Sequence, residues 1–378
     1  MKDETALTVG VAYNLKRGAT AGPPDAEAEF DDFETISVIK KALETVGHRV
    51  ELFEAEEGFT AAIAANKPDI VFNIAEGRIG RGREAHVPAI LSFLGIPYTG
   101  ADETAMCLAM DKALTKRILA SYGITTPQYC VISNDISRVA DSGGGFHIGG
   151  SSSCTSCFSE PCSSPDDNAL TRCNGCEGEK SRSAADIPAH FPLPAIVKPV
   201  AEGSGKGISG VSIVASTSEL YKAANDVIKS YAQDALVEEY IDGREFTVGL
   251  LGNGNDVRIF APMEIIFRDA DRRIYSYDIK RNFKQHVDYA CPPNVGVDVI
   301  SALKETALRI FRIIGCRDFA RVDFRMSHDG DIYFLELNPI PGLAPGYSDY
   351  PMLAEFCGVG YDELICRVLD CALARYGL

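Results

Sequence analysis

Four polar side chains fall on one face of a hairpin that the sequence predicts within residues 319–342. The dipeptide Asp329-Gly330 separates two largely apolar runs, which is the strongest short-range signal for a hairpin. Side chains alternate between the faces of a strand, so a two-residue loop there gives two opposed pairs on one face: Asp323 with Glu336, and Arg321 with Asn338. The other face is apolar and is predicted to pack on the core: Val322, Phe324, Met326, Tyr333, Leu335 and Leu337.

Two carboxylates directly opposite each other across a strand pair repel and destabilise the sheet. A cation between Asp323 and Glu336 would remove that repulsion. Carboxylate and amide oxygens are the hard ligands of Mg2+ ions that are shared with substrate phosphates. An ordinary hairpin with one solvated face is the alternative, but Arg321 and Asn338 on the same face favour a site for Mg2+, or for Mn2+ in its place.

Two loops could bind anions. The predicted strand at residues 194–199 carries Lys198 and runs into Glu202-Gly-Ser-Gly-Lys-Gly207, whose glycines let backbone N–H groups cradle phosphate oxygens. It is not a P-loop, because glycine rather than Ser or Thr follows its lysine, and a plain hairpin turn is the alternative. The loop at residues 76–84 holds three arginines and three glycines, and is either a substrate or anion loop or a flexible, solvated turn.

Residues 141–185 are rich in Gly, Ser and Cys and nearly lack large apolar side chains, so this segment cannot bury enough surface to fold alone. Two Cys-x-x-Cys pairs are separated by 15 residues, which is the spacing of a four-cysteine zinc site. Their members are Cys154, Cys157, Cys173 and Cys176. A structural Zn2+ ion would supply the missing folding energy, while an iron–sulfur cluster and a metal-free insertion stay open as alternatives.

Composition limits the class of protein. The 378 residues are 46% hydrophobic and 24% charged, an ordinary globular composition with room for two or three domains. The net charge of −16 argues against a nucleic-acid partner. No apolar run approaches the roughly 18 residues of a membrane span, and no signal peptide precedes the first strand. We therefore expect a cytoplasmic protein without a membrane partner.

Strands and helices alternate in the N-terminal part, which predicts a parallel sheet covered by helices. The strands are expected at residues 7–12, 49–53 and 69–74, and the helices at residues 33–46, 59–65 and 85–94. Farther along, the patterns predict one long helix at 101–122, a hairpin over 235–250, strands at 262–267 and 275–278, and an amphipathic helix at 297–314.

These motifs together resemble the ATP-grasp enzymes and, within them, the D-alanine--D-alanine ligases. The segments that carry the resemblance occur in the family's order and cover nearly the whole chain outside residues 141–190. They are Val71-Phe-Asn with Gly77, Pro97-Tyr-Thr-Gly100, Met110-Asp-Lys112, Ile196-Val-Lys-Pro199 with Glu202-Gly-Ser204, Val237-Glu-Glu-Tyr-Ile241 with Gly243-Arg-Glu245, Lys280, Arg321-Val-Asp323, and Glu336-Leu-Asn338 with Pro341-Gly342.

The resemblance implies an α/β protein of the ATP-grasp fold with an α+β lid. Its domains would be an N-terminal doubly wound parallel-sheet domain (1–100), a central lid domain (101–234) with a Cys/Gly/Ser-rich insertion (141–190), and a C-terminal nucleotide- and metal-binding domain (235–378). The residues that would contact ATP are Lys112, Lys198, Glu238, Glu239, Ile241, Glu245 and Leu335. Two Mg2+ ions would be bound by Asp323, Glu336 and Asn338. The catalytic residues would be Arg321, Lys280 and Ser204, with Arg321 polarising an oxyanion and Lys280 contacting the transferred phosphate.

In this family ATP phosphorylates a carboxylate, and an amine then displaces phosphate to give an amide. A carboxylate is a poor electrophile until one of its oxygens becomes a phosphate leaving group, and phosphoryl transfer depends mainly on positioning and charge neutralisation. The resemblance thus implies an ADP-forming carboxylate–amine ligase that acts on ATP and small amino-acid-like substrates. The sequence leaves the oligomeric state open, a homodimer included.

The chain departs from the family's pattern around the first substrate. The D-alanine ligases hold the ammonium of the first amino acid with a Glu and a Ser of an N-terminal Gly-rich loop, which is replaced here by Ala12-Tyr-Asn-Leu-Lys-Arg17 and an acidic loop. With Arg78, Arg81, Arg83 and Arg281, this replacement predicts a donor that is larger or more anionic than alanine. The alternatives are D-alanine--D-alanine ligase itself, and a nucleotide-binding protein without ligase activity that recruits a partner through the Cys-rich insertion.

Overall fold

The computed structural model of the chain describes residues 6–18, 25–133, 191–203, 205–208, 213–268, 279 and 282–378. The strand predicted at 275–278 and the insertion predicted at 141–190 therefore lie outside the described residues. Within the described part, three β-sheets carry helices on their faces. No helix there combines the length and the apolar character that crossing a bilayer requires.

The N-terminal sheet is parallel and covered by helices, as predicted. Its strands are β1 (Thr8–Tyr13), β2 (Arg49–Glu54) and β3 (Ile70–Asn73), in the order β2-β1-β3. Its helices are α1 (Phe33–Thr45), α2 (Phe59–Ala65) and α3 (His86–Leu94). Val9 belongs to a core cluster with Ile36 of α1, whereas Val71 belongs to another with Leu91 of α3. Both faces of the sheet are thus buried, which explains why its strands are nearly continuous apolar runs.

A second, four-stranded sheet is antiparallel and has the order β4-β7-β5-β6. Its strands are β4 (Tyr129–Ile132), β5 (Ala195–Pro199), β6 (Ile213–Val214) and β7 (Ala235–Glu239). The amphipathic helix α6 (Thr217–Tyr231) buries Leu220, Ala224 and Val227 against it, and Ser216 caps its first turn by accepting from the N–H of Glu219.

The third sheet is antiparallel, with the order β11-β10-β8-β12-β13 and β9 paired to β8. Its strands are β8 (Gly243–Leu251), β9 (Arg258–Ile259), β10 (Met263–Phe267), β11 (Val287–Ala290), β12 (Phe319–Ser327) and β13 (Ile332–Asn338). The remaining helices are α4 (Glu103–Met110), α5 (Lys112–Ser121), α7 (Phe283–His286), α8 (Val297–Ile314), α9 (Asp349–Phe356) and α10 (Tyr361–Tyr376). Side chains of α4, α5 and α8 share one buried core with this sheet.

The predicted hairpin over residues 235–250 is wrong. Strand β7 pairs with β4 and β5, while β8 pairs with β10 and β12 in the other sheet. The chain changes sheets at Gly243, which has a φ of 153° and lies so close to Met326 that a Cβ would come within 2.0 Å of its carbonyl oxygen. A short Asp-Gly link predicts a turn in either case, so the sequence does not distinguish a hairpin from a crossing. The domain boundaries predicted from sequence remain a proposal. Because β7 belongs to the same sheet as β4 and β5, the boundary between the central and C-terminal domains is better placed after Glu239 than after residue 234.

The long helix predicted at residues 101–122 is two helices. Asp111 separates α4 from α5 with a ψ of 95°, and its carboxylate accepts a hydrogen bond from the N–H of Leu114 at 2.9 Å. The apolar periodicity continues across this break, whereas a capping aspartate inside the pattern was the signal for a new helix start. The break places the N–H of Lys112 against the carbonyl of Val200 at 3.1 Å and so fixes this lysine beside strand β5.

The hairpin of β12 and β13 has the predicted pairs Arg321 with Asn338 and Asp323 with Glu336. Nearer the turn the register shifts, and Phe324 pairs with Phe334. Because of this β-bulge, Phe334 is the buried residue, and the prediction that Tyr333 and Leu335 lie on the core face is wrong. Bulges re-aim side chains near functional sites, and here the bulge turns Leu335 away from the core.

Candidate active site

Two cavities adjoin the polar face of the β12–β13 hairpin, and Glu336 and Asp349 line both of them. The first, which we call the inter-sheet cavity, has a volume of about 80 Å³ and lies between the four-stranded sheet and the third sheet. The second, which we call the acidic cavity, has a volume of about 100 Å³ and extends to the N-terminal loops. Six residues predicted to contact ATP line the inter-sheet cavity: Lys198, Glu238, Glu239, Ile241, Glu245 and Leu335.

A buried row of charges forms one wall of the inter-sheet cavity. Glu238 Oε2 lies 2.6 Å from Lys198 Nζ, and its other oxygen contacts Lys116 Nζ. Burial raises the pKa of Glu238, but Lys116 and Lys198 outweigh burial and hold the pKa below its ordinary value. Burial lowers the pKa of Lys116 to about 8. Burial also lowers the pKa of Lys198, but Glu238 and Glu336 outweigh it and the pKa is raised.

Lys116 and Arg325 belong to this site but were not predicted. Lys116 lies one helical turn after Lys112 on α5, a spacing that places both on one face. Arg325 follows Arg321 and Asp323 at strand spacing, so the alternation rule that found those two residues also points to it. Its Nε lies 3.3 Å from Glu245 Oε2, and its Nη1 donates to the carbonyl of Ile241 at 2.9 Å. Arg325 thereby fixes two residues that were predicted to contact ATP.

The predicted metal ligands lie together on the hairpin face. Asn338 Nδ2 donates to Asp323 Oδ2 at 3.2 Å, and Glu336 is directly opposite Asp323 across the strands. Asp323 also accepts from Thr247 Oγ1 at 2.7 Å and from Arg321 Nη2 at 2.9 Å. Two carboxylates and an amide at this spacing offer the hard oxygen ligands that suit Mg2+, so the donor set fits such an ion.

Two predicted cationic residues line the acidic cavity. Arg321 is buried between Asp323 and Asp349, with Nη1 at 3.9 Å from Asp349 Oδ2, and although burial lowers its pKa, Asp323 outweighs burial and raises it. Lys112 Nζ lies 3.8 Å from Glu336 Oε2 and donates to the carbonyl oxygen of Glu202. Burial lowers the pKa of Lys112, and Glu336 opposes this effect only in part.

Carboxylates outnumber these cations in the acidic cavity. Glu29, Glu76 and Glu84 have oxygens that all lie within 4.8 Å of one another. Burial and the Glu29 charge raise the pKa of Glu84 to about 7, and burial and the Glu84 charge raise the pKa of Glu76 well above its ordinary value. Burial also raises the pKa of Glu29, but Arg83 and Lys206 outweigh it and lower the pKa. Sequence reasoning noted an acidic loop here but did not identify these three residues.

The arginines of the 76–84 loop are largely engaged by carboxylates. Arg83 is buried, and its Nη2 lies 2.6 Å from Glu29 Oε2 and 3.0 Å from Glu202 Oε2. Arg81 pairs with Asp111. The charges of these two arginines are therefore already neutralised. They no longer support the prediction of a donor more anionic than alanine. Several other predicted site residues lie outside the described part of the chain: Ser204, Lys280, Arg281, Cys154, Cys157, Cys173 and Cys176.

Comparison with known proteins identifies relatives along nearly the whole chain. Residues 168–370 match the family model described as D-ala D-ala ligase C-terminus. A D-alanine--D-alanine ligase of Janthinobacterium sp. (strain Marseille) is 30% identical and aligns with 96% of this chain and 96% of its own length. The uncharacterized protein y4sG of Sinorhizobium fredii is 29% identical over 89% of this chain and 86% of its own length.

Among solved structures, the chain resembles the D-alanine--D-alanine ligase of Bacillus anthracis, whose crystal structure was determined in complex with ATP. The TM-score is 0.65 at 19% sequence identity, and the superposition covers 98% of this chain and 99% of the other. At this identity the likeness concerns the fold, which is therefore the ATP-grasp fold that the sequence motifs predicted.

Proposed function

The chain belongs to the D-alanine--D-alanine ligase family of ATP-dependent ligases, and on this premise we propose that it activates an amino acid carboxylate with ATP and joins it to an amine. The observation that carries the proposal is the meeting of the two cavities at Glu336. A nucleotide in the inter-sheet cavity would have its terminal phosphate beside a carboxylate substrate in the acidic cavity. A nucleotide-binding protein without ligase activity has no observation in its favour.

We assign the nucleotide to the inter-sheet cavity. Lys198 would contact the phosphates, and Glu238, Glu239, Ile241, Glu245 and Leu335 would surround the adenosine. Asp323, Glu336 and Asn338 would hold one or two Mg2+ ions, which would neutralise charge on the transferred phosphate. Arg321, held by Asp323 beside the acidic cavity, would stabilise negative charge that develops on the substrate carbonyl oxygen.

The acidic cavity supports a donor that carries an ammonium group. Glu76 and Glu84 have no hydrogen bond or ion pair with any described residue through their side chains, so a bound ammonium would provide the positive charge that this cavity lacks. Glu29 is less suited to this task, because Arg83 and Lys206 already bind its carboxylate. The N-terminal loop by which the D-alanine ligases hold the first ammonium group is replaced in this chain, so the donor is proposed to be an amino acid other than D-alanine, with its ammonium group held by Glu76 and Glu84.

The test is a screen of D- and L-amino acids for ADP release in the presence of ATP and Mg2+. Wild-type protein should respond to at least one amino acid, and Glu336→Gln should abolish nearly all of that release. Asp329→Asn, at the exposed turn of the same hairpin, is the matched control and should retain activity. Full turnover by Glu336→Gln would refute the site. If D-alanine alone supported the fastest release, the donor assignment would be wrong and D-alanine--D-alanine ligase would be the activity.

The four cysteines of the predicted zinc site lie outside the described residues, and we propose from their spacing alone that they bind one structural Zn2+ ion. Four thiolates would fill the coordination shell and leave no position for a catalytic water. Metal analysis of reduced protein purified without chelator should find close to one equivalent of zinc. Less than about a tenth of an equivalent of any metal would exclude the site.

A further inference from the structure

Arg83 connects three parts of the chain that are far apart in sequence. It lies in a short 3-10 turn (Arg83–Ala85), beyond the carboxyl end of β3. Its Nη2 bonds both carboxylate oxygens of Glu29, at 2.6 and 2.8 Å, and its Nη1 donates to the carbonyl of Ala201 at 3.0 Å. With Glu202 at 3.0 Å, the guanidinium joins the N-terminal acidic loop to the glycine-rich loop after β5.

The acidic loop also bonds the backbone of the glycine-rich loop. Glu29 Oε1 accepts from the N–H of Gly203 at 2.5 Å, and Asp25 Oδ2 accepts from the N–H of Gly207 at 2.8 Å. Asp25 further accepts from Tyr231 Oη at 2.8 Å. A Cβ at Gly203 would come within 2.7 Å of Glu29 Oε1, so a side chain there would displace this carboxylate. Each end of the glycine-rich loop is therefore held by one carboxylate of the acidic loop.

Two cations and two carboxylates form a buried ionic cluster at this junction. Arg83 and Lys206 face Glu29 and Glu202, all four are largely buried, and Lys206 Nζ lies 2.6 Å from Glu202 and 3.3 Å from Glu29. Removing one member of a buried ionic cluster leaves an uncompensated charge that the protein must expose to water or neutralise. Lys206 also contacts Glu29 and Glu202, but among the described residues Arg83 alone adds a hydrogen bond to the Ala201 carbonyl, so its removal should free the start of the loop as well as the two carboxylates.

We propose that Arg83 is a positioning residue that latches the glycine-rich loop to the N-terminal acidic loop, and that this latch holds the lid closed during turnover. The role in turnover rests on the proposed ligase function, whereas the latch itself does not. An acyl phosphate that forms beneath a closed lid is protected from water until the amine attacks. When the latch is open, water would attack instead, giving the free carboxylate and phosphate in place of the amide and phosphate.

The primary test is hydrogen exchange of the full chain without ligand, comparing wild type with Arg83→Met. Exchange of the Gly203 amide should accelerate by at least about tenfold in the variant, because Arg83 no longer holds its acceptor Glu29. Exchange of the Gly207 amide should also accelerate, because its acceptor Asp25 belongs to the same acidic loop, which is released with Glu29. Amides of β7, which belongs to the inter-sheet cavity, should not change. Arg49→Met, which removes an exposed ion pair with Glu51 in the N-terminal sheet, is the control and should leave both regions unchanged.

Equal exchange at Gly203 and Gly207 in wild type and Arg83→Met would overturn the latch. If exchange accelerates throughout Arg83→Met because the variant unfolds, Asp25→Asn decides, since this variant weakens only the contacts with Gly207 and Tyr231. Faster exchange confined to Gly207 would support the latch, and unchanged exchange would overturn it.

Turnover provides a separate readout, using the amino acid that gives the fastest ADP release in the screen. Arg83→Met should form more ADP per amide than wild type, with little change in the KM for ATP. Arg83→Lys keeps the charge but not the forked contacts and should fall between the two. An unchanged ratio of ADP to amide would show that the latch does not exclude water. Absence of any ADP release by wild type would instead refute the ligase proposal and leave the exchange result valid.

Discussion

Buried charge is treated in opposite ways by the two cavities. In the inter-sheet cavity each buried carboxylate has a cationic partner: Glu238 lies between Lys116 and Lys198, and Glu245 pairs with Arg325. In the acidic cavity, the side chains of Glu76 and Glu84 have no hydrogen bond or ion pair with any residue that the structure describes, and burial raises both pKa values. The first cavity therefore provides cationic partners for Glu238 and Glu245, whereas the second contains two carboxylates without such partners among the described residues.

This difference indicates what each cavity is prepared to bind. Paired charges are held in fixed positions before a ligand arrives, so they can orient the phosphates of a nucleotide. Unpaired carboxylates reduce stability until a cation neutralises them, and such strained groups concentrate at functional sites. We therefore expect the paired cavity to bind the nucleotide and the unpaired cavity to set the donor.

The largest effect on stability and on the KM for ATP is expected when a buried charge of the inter-sheet cavity loses its partner. Glu238→Gln leaves two buried ammonium groups without their shared carboxylate, which should cost about 3 kcal/mol or more of unfolding free energy. The KM for ATP should rise by about a hundredfold, because the two lysines would no longer be held in place. Urea unfolding and ADP release measure the two quantities.

Glu239→Gln is the matched control for this substitution, because the neighbouring carboxylate also lines the cavity but is only half-buried. It should change the unfolding free energy by less than about 1 kcal/mol. A Glu238→Gln protein as stable as wild type would show that the row of buried charges does not stabilise the fold.

In the acidic cavity, Glu84→Gln is expected to raise the unfolding free energy rather than lower it. The folded-state pKa of about 7 lies above the ordinary glutamate value of 4.5, so the folded state binds this proton more tightly and loses stability as pH rises between these values. At pH 8 the variant should be more stable than wild type by about 1 kcal/mol, while the KM for the donor rises by about tenfold or more.

At pH 4 the stability difference of Glu84→Gln should vanish, because the carboxyl is protonated in both states. Glu57→Gln, at an exposed position of the same domain, should show neither effect. A Glu84→Gln protein that is less stable than wild type at pH 8 would mean that Glu84 has a stabilising partner, and the contrast between the cavities would fail.

The sequence predicts the two cavities unequally, because some of their contacts join residues close in sequence and others join distant segments. The pairs Arg321 with Asn338 and Asp323 with Glu336 follow from strand alternation and a local turn, and the structure confirms them. Most residues of the inter-sheet cavity were identified by motif, because the family resemblance covers them. The bulge at Leu335 was missed, since a one-residue shift in pairing leaves no mark in the pattern of apolar residues.

The acidic cavity was harder to predict because its residues come from separate loops. Glu29, Glu84 and Glu202 come from three segments that are far apart in sequence, and the folded chain brings them to one cavity. From sequence alone, the three arginines at residues 78–83 suggested an anionic ligand. The structure pairs two of them with carboxylates, which changes the sign of the expected ligand. Charge counts in a loop do not show which charges are already compensated.

A smaller effect is expected from pH in the wild-type protein. If the ionised form of Glu84 binds the donor ammonium, the KM for the donor should fall as pH rises through about 7 and then level off. Glu84→Gln should lose most of this dependence. The measurement is the KM for the donor between pH 5.5 and about 8.5 at saturating ATP. A KM independent of pH in wild type would contradict ammonium binding by Glu84.

The smallest effect is expected from Lys116→Met, which tests whether Lys198 alone is sufficient to hold Glu238 and to bind ATP. Glu238 keeps Lys198 at 2.6 Å, so the KM for ATP should rise by only about threefold. Because burial lowers the folded-state pKa of Lys116 from 10.5 to about 8, wild type loses stability by protonating this lysine and regains it as pH rises. Its unfolding free energy should therefore increase relative to Lys116→Met between these two pH values. If the difference in unfolding free energy between wild type and Lys116→Met stays constant with pH, Lys116 has the same pKa in the folded and unfolded states. Glu238 would then stabilise the Lys116 ammonium enough to offset its burial.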